Sequence, residues 1–362
     1  IAKYDELYKI GWDTIRNARY KRMLELKIFG DRTDYLTPRN PSKVWSTNKD
    51  KEWDARGMAV YAAMIDRMDR GIGQVIDALE RNGQLHNTLI LFMSDNGCAN
   101  ELAHTFGPGG VRPGMTRDGT PIVYPANKEV MPGPETSYAG LMGSWTNVCN
   151  APFRLWKKKS AEGGICTPMI AYWPDRIKEN AGTVTEEMGH MIDVMATCID
   201  AAGAAYPEVY DSHLIIPLEG KSLLPVFETG EREGHEELGF EHFKEKALIT
   251  KDLWKISQPE GDNKAWELYN LDTDRTELKN LAKTYPDKVA ELVERYEEWA
   301  KRSLVKPGIG YPAESAPVAI ACATDFEFIR NNMKGHFYLT SDIEIPAGVE
   351  WIPLGAANAV DD

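Results

Sequence analysis

The feature that most constrains the fold is an apolar stretch that ends in an acid, an amide and a glycine. Thr88–Met93 is almost wholly apolar and is followed by Ser94, Asp95, Asn96 and Gly97. A short apolar run that is bounded by turn residues predicts a buried β-strand. Open α/β sheets bind their ligands where strands end. We therefore predict a candidate metal site at this corner.

Apolar spacing predicts helices on either side of this strand. Apolar residues recur every three or four positions in Tyr8–Lys27, Trp53–Asn82 and Glu187–Ala202, which is the helix period. Gly83 is expected to end the second of these helices, because glycine suits the left-handed position that follows a helix. A second apolar run, Met169–Trp173, predicts another buried strand. Alternating helices and strands predict an α/β fold.

A long segment rich in glycine and proline, Gly97–Asn150, separates the two predicted strands. It shows little periodicity, so we predict a loop excursion at the mouth of the sheet. Loops of this length inside a compact domain usually carry function. His190, in the helix that follows the second strand, is interpreted as a core or surface residue rather than a ligand.

The last third of the chain predicts a smaller unit. Glu228–Gly234 is charged and contains glycine, and we interpret it as a connection between domains. Three strand candidates follow, at 238–243, 246–257 and 266–271, and Asp287–Ser303 has the spacing of an amphipathic helix. A small antiparallel sheet with one helix is therefore expected.

Length, charge and apolar runs limit the number of domains and the kinds of molecule that the protein is expected to bind. The chain has 362 residues, which suggests about two domains. Its formal charge of −13 makes a nucleic-acid partner unexpected, because neutralising phosphates needs a basic face. No apolar run approaches the roughly 18 residues that span a bilayer. The chain starts at Ile1 without an apolar signal sequence, so the N-terminus is expected to have been cut.

The five cysteines are widely spaced and form no C-x-x-C motif. They predict buried thiols rather than a zinc ribbon or a disulfide framework.

Six blocks, in order over roughly residues 1–305, resemble the C-terminal part of the sulfatase (arylsulfatase) family of the alkaline-phosphatase-like superfamily. The blocks are the helix around Trp53–Asn82, Asn87–Gly97, Pro152–Lys157, Glu162–Pro168, Leu218–Pro225, and Trp266–Asp272 with Asp274–Leu281. The resemblance implies a mixed sheet flanked by helices, incomplete at its N-terminus, and a smaller C-terminal antiparallel sheet with one helix.

The resemblance also implies a role for three residues. Asp95 and Asn96 match the family's oxygen ligands to a divalent cation, which is commonly Ca²⁺, with Mg²⁺ as the alternative. Hard oxygen ligands suit either ion. Lys157 matches the lysine that contacts the sulfate and offsets charge on the departing oxygen. A register error of one residue would move this role to Lys158.

The family's nucleophile is a formylglycine made from the cysteine of a C-x-P-x-R motif, and this chain has no such motif. Cys149–Arg154 has one residue too many, and Cys166–Ile170 lacks the arginine. We expect the nucleophile to lie upstream of Ile1 and the 362-residue chain alone to be inactive.

Further expectations follow from the resemblance. The substrate is a small-molecule or carbohydrate sulfate ester, and the location is periplasmic or extracellular. The domain boundaries are predicted as 1–236, 237–310 and 311–362. Within the last segment, Phe326–Gly355 resembles the start of an extracellular β-solenoid repeat of the GLUG type, or else forms an irregular extension with one hairpin.

Two other functions stay open at this point. One is hydrolysis of a phosphoester or phosphonate by the same superfamily. The other is a non-catalytic binding or adhesion role.

Overall fold

The computed structural model describes residues 1–30, 36–38, 44–109, 112–211, 213–259, 264–303, 305, 318–320 and 337–339. The β-solenoid resemblance of residues 326–355 lies outside these residues, apart from 337–339. Strand residues 337–339 pair in parallel with 318–320. Neither form predicted for this tail is tested, and the domain boundaries stay predictions.

No helix in the described part is long and apolar enough to cross a bilayer.

Two N-terminal helices pack on a third helix that the sequence did not predict. Helix α1 is Trp12–Glu25 and α2 is Lys51–Arg81. Gly83 adopts a φ of 68°, which confirms the predicted end of α2. Helix α3, Met142–Cys149, lies inside the segment predicted as a loop, so that prediction is wrong for these eight residues. Short 3-10 turns occupy Ala2–Tyr4, Leu7–Ile10, Trp45–Thr47, Leu85–Asn87 and Ala103–Thr105.

Aromatic contacts explain why α3 forms. The ring of Trp145 meets Tyr8 edge-on with centroids 5.5 Å apart and Trp12 with centroids 5.9 Å apart. Its indole N–H donates to the backbone oxygen of Asp54 at 2.9 Å. Trp145 is buried, and edge-to-face ring pairs add stability beyond the burial of apolar area. Tertiary packing therefore stabilises a helix too short to be stable alone.

The two predicted strands form an antiparallel pair. Strand β1 is Ile90–Met93 and β2 is Met169–Tyr172, with Met93 opposite Met169. One face of the pair, including Leu91 and Ala171, packs on a core cluster that contains Trp173. The other face is not buried within the described part of the chain, since Phe92 is exposed. The strands predicted as buried are therefore only partly buried, on the face that packs against the core.

The remaining elements up to residue 236 are short. They are α4 (Glu162–Ile165), α5 (Ile192–Ala201), β3 (Val209–Tyr210), β4 (His213–Leu214) and α6 (Leu224–Thr229). Helix α5 begins five residues after the predicted start and ends before Gly203, as expected.

The C-terminal unit is a four-stranded antiparallel sheet covered by one helix. Its strands are β5 (Glu237–His242), β6 (Glu245–Thr250), β7 (Trp254–Gln258) and β8 (Glu267–Asn270), in sequential order, and α7 is Pro286–Arg302. Two three-residue strands, β9 (Val318–Ile320) and β10 (Phe337–Leu339), complete the described elements. The predicted single strand 246–257 is wrong, because the chain turns back between β6 and β7. Leu253 makes this turn with a φ of 62°. The fold class is the predicted α/β type, with helices and antiparallel sheets.

A buried charge cluster joins the C-terminal sheet to α4. Lys255 on β7 is fully buried, and its Nζ lies 2.8 Å from Glu162 and 2.8 Å from Glu277. Arg154 donates to Glu277 at 3.0 Å. Glu267 and Arg275 complete a set of three cations and three carboxylates, through contacts with Arg154 and Glu162 respectively. Removing one member of such a set leaves an uncompensated buried charge, which typically destabilises a protein by about 3–5 kcal/mol.

The predicted interdomain connection is anchored by a second buried ion pair. Asp193 on α5 is fully buried, and it accepts hydrogen bonds from Arg232 at 2.8 Å and from the backbone N–H of Lys221 at 2.9 Å. The ring of His235 lies 2.6 Å from the same carboxylate. Burial alone would raise the pKa of Asp193, but these hydrogen bonds outweigh burial and hold the pKa well below its ordinary value.

The low pKa of Asp193 predicts a pH-dependent contribution to stability. A depressed carboxyl pKa stabilises the folded state above the unfolded pKa of about 4, and this contribution is lost as pH falls toward the folded pKa. We expect Asp193→Asn to lower the free energy of unfolding at pH 7, by an amount that shrinks below about pH 4. Chemical denaturation across this pH range measures the difference.

Asp200→Asn is the matched control, because Asp200 lies on the same helix and is exposed. A loss for Asp193→Asn that does not change between pH 3 and 7 would contradict the assignment.

Candidate functional site

Antiparallel pairing brings two of the sequence blocks together. Because the end of β1 lies beside the start of β2, the Asp95 loop meets the segment that precedes β2. Gly97 N–H donates to Gly164 O at 2.9 Å, and the Thr167 hydroxyl donates to Ser94 O at 2.8 Å. The block that ends β1 and the block that contains α4 therefore form one corner.

Glycine is required at this corner by close backbone approach. A Cβ atom on Gly97 would lie 1.8 Å from Gly163 O. Cβ atoms on Gly163 and Gly164 would lie 2.2 Å from Arg154 O and 2.0 Å from Lys159 O, respectively. No side chain fits at such distances, so three backbone segments can meet here only because these residues lack a Cβ.

Asn150 connects this corner to the lysine block, a role that sequence reasoning missed. Its Oδ1 accepts from Cys98 N–H at 2.8 Å, and its Nδ2 donates to Leu155 O at 2.9 Å. Lys157 N–H donates in turn to Cys98 O at 3.2 Å. The backbone of Lys157 is thus tied to a residue three positions after Asp95. Asn150 immediately follows α3. Asparagine is common at the end of a helix, so the residue type alone does not indicate this role.

The three consecutive lysines differ in their surroundings. Lys159 is paired with Glu245 at 2.8 Å, and Lys158 is exposed with a backbone φ of 78°. Lys157 is half-buried, and within the described part of the chain its ammonium makes no hydrogen bond or ion pair. This difference favours Lys157 over its neighbours as an anion contact.

The predicted cation ligands lie on the loop after β1. Asp95 is exposed, and its carboxylate has no hydrogen bond or ion pair to any described residue. Asn96 is half-buried, and its Nδ2 donates to Gly97 O at 3.1 Å, which leaves the amide oxygen as its remaining ligand atom. Among the described residues, no cluster of three or more His, Cys, Asp or Glu side chains is placed to hold a metal. One carboxylate and one amide oxygen fit part of a hard-cation site, which normally has six or more oxygens including water.

A cleft of about 300 Å³ lies beside the lysine block. Its lining combines cations with aromatic rings, and consists of Asn100, Glu101, Trp156, Lys157, Lys158, Lys159 and Phe243. Asp95 and Asn96 are not part of this lining. The cleft therefore contains the predicted anion contact, and the predicted cation ligands lie on the loop that leads to it.

Two half-buried thiols, those of Cys98 and Cys149, lie next to each other near the Asp95 loop. The thiols of Cys98 and Cys149 are in close enough contact to influence each other's pKa. This contact and burial raise the pKa of the Cys149 thiol well above its ordinary value, whereas the same contact lowers the pKa of Cys98. The prediction of buried thiols is only partly correct. Cys98 and Cys149 are half-buried, and Cys198 is exposed.

Family models match two overlapping segments of the sequence. The model described as "Sulfatase" matches residues 33–204, and the one described as "N-sulphoglucosamine sulphohydrolase, C-terminal" matches residues 153–302. The sequence is sulfatase-like. Both matches end before the tail that resembles a β-solenoid repeat.

Similar proteins carry sulfatase names. An uncharacterized sulfatase of Schizosaccharomyces pombe is 32% identical over 303 residues, which is 81% of this chain and 53% of that protein. The arylsulfatase of Klebsiella aerogenes is 29% identical over 62% of this chain and 47% of its own length. The solved structure of Ps i-CgsB is 21% identical over 80% of this chain and 54% of its own, with a TM-score of 0.46. The sulfatase-like chain spans about half the length of the relatives it matches.

The backbone contact at Gly97 yields a stability prediction. We expect Gly97→Ala to destabilise the protein, because the added methyl group overlaps Gly163 O and forces the two loops apart. The free energy of unfolding is expected to fall by about 1–3 kcal/mol or more. Chemical denaturation of both proteins measures it.

Gly73→Ala is the control for this prediction. Gly73 lies in the middle of α2 with no atom near the added Cβ, so alanine there is expected to stabilise by up to about 1 kcal/mol. Equal effects of the two substitutions would contradict the packing account of Gly97.

Proposed function

We propose that this chain carries part of the active site of a sulfuric ester hydrolase. The observation that carries the proposal is the hydrogen bond from Lys157 N–H to Cys98 O. It ties the cationic block to the loop that contains Asp95 and Asn96, as metal-assisted hydrolysis of an anionic ester requires. The match to the "Sulfatase" family model, which includes both blocks, supports the same reaction class.

Asp95 and Asn96 would hold a divalent cation, preferably Ca²⁺ and otherwise Mg²⁺. Their oxygens are hard ligands, and the carboxylate of Asp95 has no competing partner among the described residues. A bound cation would act as a Lewis acid that stabilises negative charge on the sulfate oxygens. The remaining ligands would come from other residues and water.

Lys157 would bind the sulfate group and offset the charge that develops on the departing oxygen. An ammonium suits this task because it is a compact point charge with three donors. It is half-buried, so its interaction with an anion is screened less than that of the exposed Lys158. The pairing of Lys159 with Glu245 leaves that lysine less suited to the role.

The nucleophile, a formylglycine, would be supplied by sequence outside these 362 residues. Two local observations support this part of the proposal. The thiol of Cys166 lies against Arg275, which donates to its sulfur at 3.1 Å, and Cys149 is paired with Cys98. Neither cysteine lies in a C-x-P-x-R motif.

The substrate class we propose is a sulfated carbohydrate or another small sulfate ester. Trp156 and Phe243 line the cleft with the lysines, and aromatic faces beside cations suit a sugar ring that carries an anionic group. Similar proteins include N-acetylgalactosamine-6-sulfatases, 27% identical over 47% of this chain in Canis lupus familiaris. We also propose a periplasmic or extracellular location, and that residues 311–362 are an appended segment that begins a β-solenoid module.

The cation proposal predicts weak binding that depends on Asp95. We expect the 362-residue chain to bind Ca²⁺ with a dissociation constant of about 1 mM or weaker, because only two protein ligands are present. Asp95→Asn should remove most of this affinity by removing the charged ligand. Isothermal titration calorimetry with CaCl₂ measures both proteins.

Asp69→Asn is the matched control, since Asp69 is an exposed aspartate on α2. Equal Ca²⁺ affinity in the wild type and Asp95→Asn would refute the assignment of Asp95.

The proposal that Lys157 binds the sulfate group predicts that Lys157 and Lys158 contribute unequally to the affinity for an anion. We expect Lys157→Gln to weaken binding of p-nitrophenyl sulfate by about 10-fold or more, because a charge-assisted hydrogen bond is lost. Lys158→Gln, the control at the exposed neighbour, should change binding only slightly. Calorimetry or ligand-observed NMR measures the affinities.

The same samples test the nucleophile. Without formylglycine the wild-type chain should release no p-nitrophenol. Steady release would contradict the external nucleophile, whereas equal effects of the two lysine substitutions would contradict the role of Lys157.

A further inference from the structure

Two cysteines are held together at the back of the candidate site by contacts that do not involve their sulfurs. Cys98 N–H donates to Asn150 Oδ1 at 2.8 Å, one residue beyond Cys149. The Thr146 hydroxyl donates to Ala99 O at 3.0 Å, one helical turn before Cys149. The backbones of residues 98–99 and of the end of α3 are therefore fixed against each other at two points.

The thiols complete this contact. The thiols of Cys98 and Cys149 lie close enough to influence each other's pKa, and both side chains are half-buried. The other described cysteines are placed differently, because Cys166 lies against Arg275 and Cys198 is exposed on α5. Two neighbouring thiols on backbone segments that are fixed against each other need little movement to form a disulfide.

We propose that Cys98 and Cys149 form a reversible disulfide that fixes the Asp95 loop to helix α3. The oxidant is a small disulfide such as oxidised glutathione. This inference is independent of the proposed function, since it concerns only the thiols and the loop they connect.

The reaction balances as two thiol–disulfide exchanges. One protein thiol loses its proton and attacks the sulfur–sulfur bond of the oxidant, which forms a mixed disulfide and releases one small thiolate. The second protein thiol then loses its proton and attacks the protein-side sulfur of the mixed disulfide. The bond between Cys98 and Cys149 forms, and a second small thiolate leaves. The two protein thiols are oxidised, and the oxidant is reduced to two thiols.

The cross-link has a mechanical consequence. Cys98 follows Asp95 by three residues, and its carbonyl already accepts from Lys157 N–H. A disulfide adds a covalent tie at the same residue, so the loop is held by α3 as well as by the lysine block. Closing the chain between residues 98 and 149 also restricts the unfolded state. The oxidised protein is therefore expected to unfold at a higher denaturant concentration than the reduced one.

The experiment uses the purified chain in mixtures of oxidised and reduced glutathione. Five thiols are present in the fully reduced protein. We expect oxidation to remove two of them with a mass loss of two hydrogen atoms, and peptide mapping to link the peptides of Cys98 and Cys149. Addition of dithiothreitol should restore both thiols.

Three variants separate this pair from the other cysteines. Cys198→Ser is the control and should form the same link. Cys98→Ser and Cys149→Ser should each abolish it and leave the remaining thiol free or as a glutathione adduct. If either variant fails to fold, peptide mapping of the wild type and of Cys198→Ser decides the question.

Two outcomes would overturn the proposal. One is a wild-type protein that keeps all its thiols, or only gains glutathione adducts, in an oxidising mixture. The other is a disulfide that involves Cys166, Cys198 or Cys322 in place of the expected pair.

Discussion

The candidate site depends on the contact of three backbone segments at a point where no side chain fits. Gly97, at the end of the loop after β1, lies against Gly163, and Gly163 and Gly164 lie against the backbone of residues 154–159. This contact gives the acid, the amide and the lysine a common framework although about 60 residues separate them in the chain. A rigid framework matters because a charged group stabilises a transition state only when it is held in position beforehand.

Buried charges, which include residues of the C-terminal unit, stabilise this contact of three backbone segments. Glu162, next to the two glycines, is held by Lys255 and Arg275 from the C-terminal unit. Burial would raise the pKa of Glu162, but the two cations outweigh it and keep the pKa low, so the carboxylate stays ionised. The small C-terminal sheet therefore orders the site without contributing any of its predicted ligands. Residues 266–281, one of the blocks that resemble the sulfatase family, belong to this sheet and to the segment after it.

Sequence reasoning identified the elements with strong patterns and missed those that tertiary contacts determine. Helix α2 and strand β1 were predicted because periodicity and turn residues are local signals. Helix α3 was missed because it is short and surrounded by glycine and proline, and it is stabilised by Trp145 in a core formed with α1 and its preceding turn. The turn at Leu253 was missed because it contains no glycine at the left-handed position. The end of an apolar run indicated Asp95 and Asn96, and the resemblance gave their roles and that of Lys157. Asn150, which joins their segments, had no sequence signal.

The ion pair between Asp193 and Arg232 changes how the chain can be divided. Residues 228–234 have the composition of a flexible linker, yet the guanidinium of Arg232 is only 2% exposed and is bonded to a carboxylate on α5. If a chimera takes the C-terminal sheet from a relative with a crossover between positions 193 and 232, a relative that lacks Arg232 would leave the buried carboxylate of Asp193 without this partner. A crossover after residue 235 keeps Asp193, Arg232 and His235 in one parent. Arg232 thus anchors the predicted connection to α5, and a segment that looks like a free linker has a fixed position in the fold.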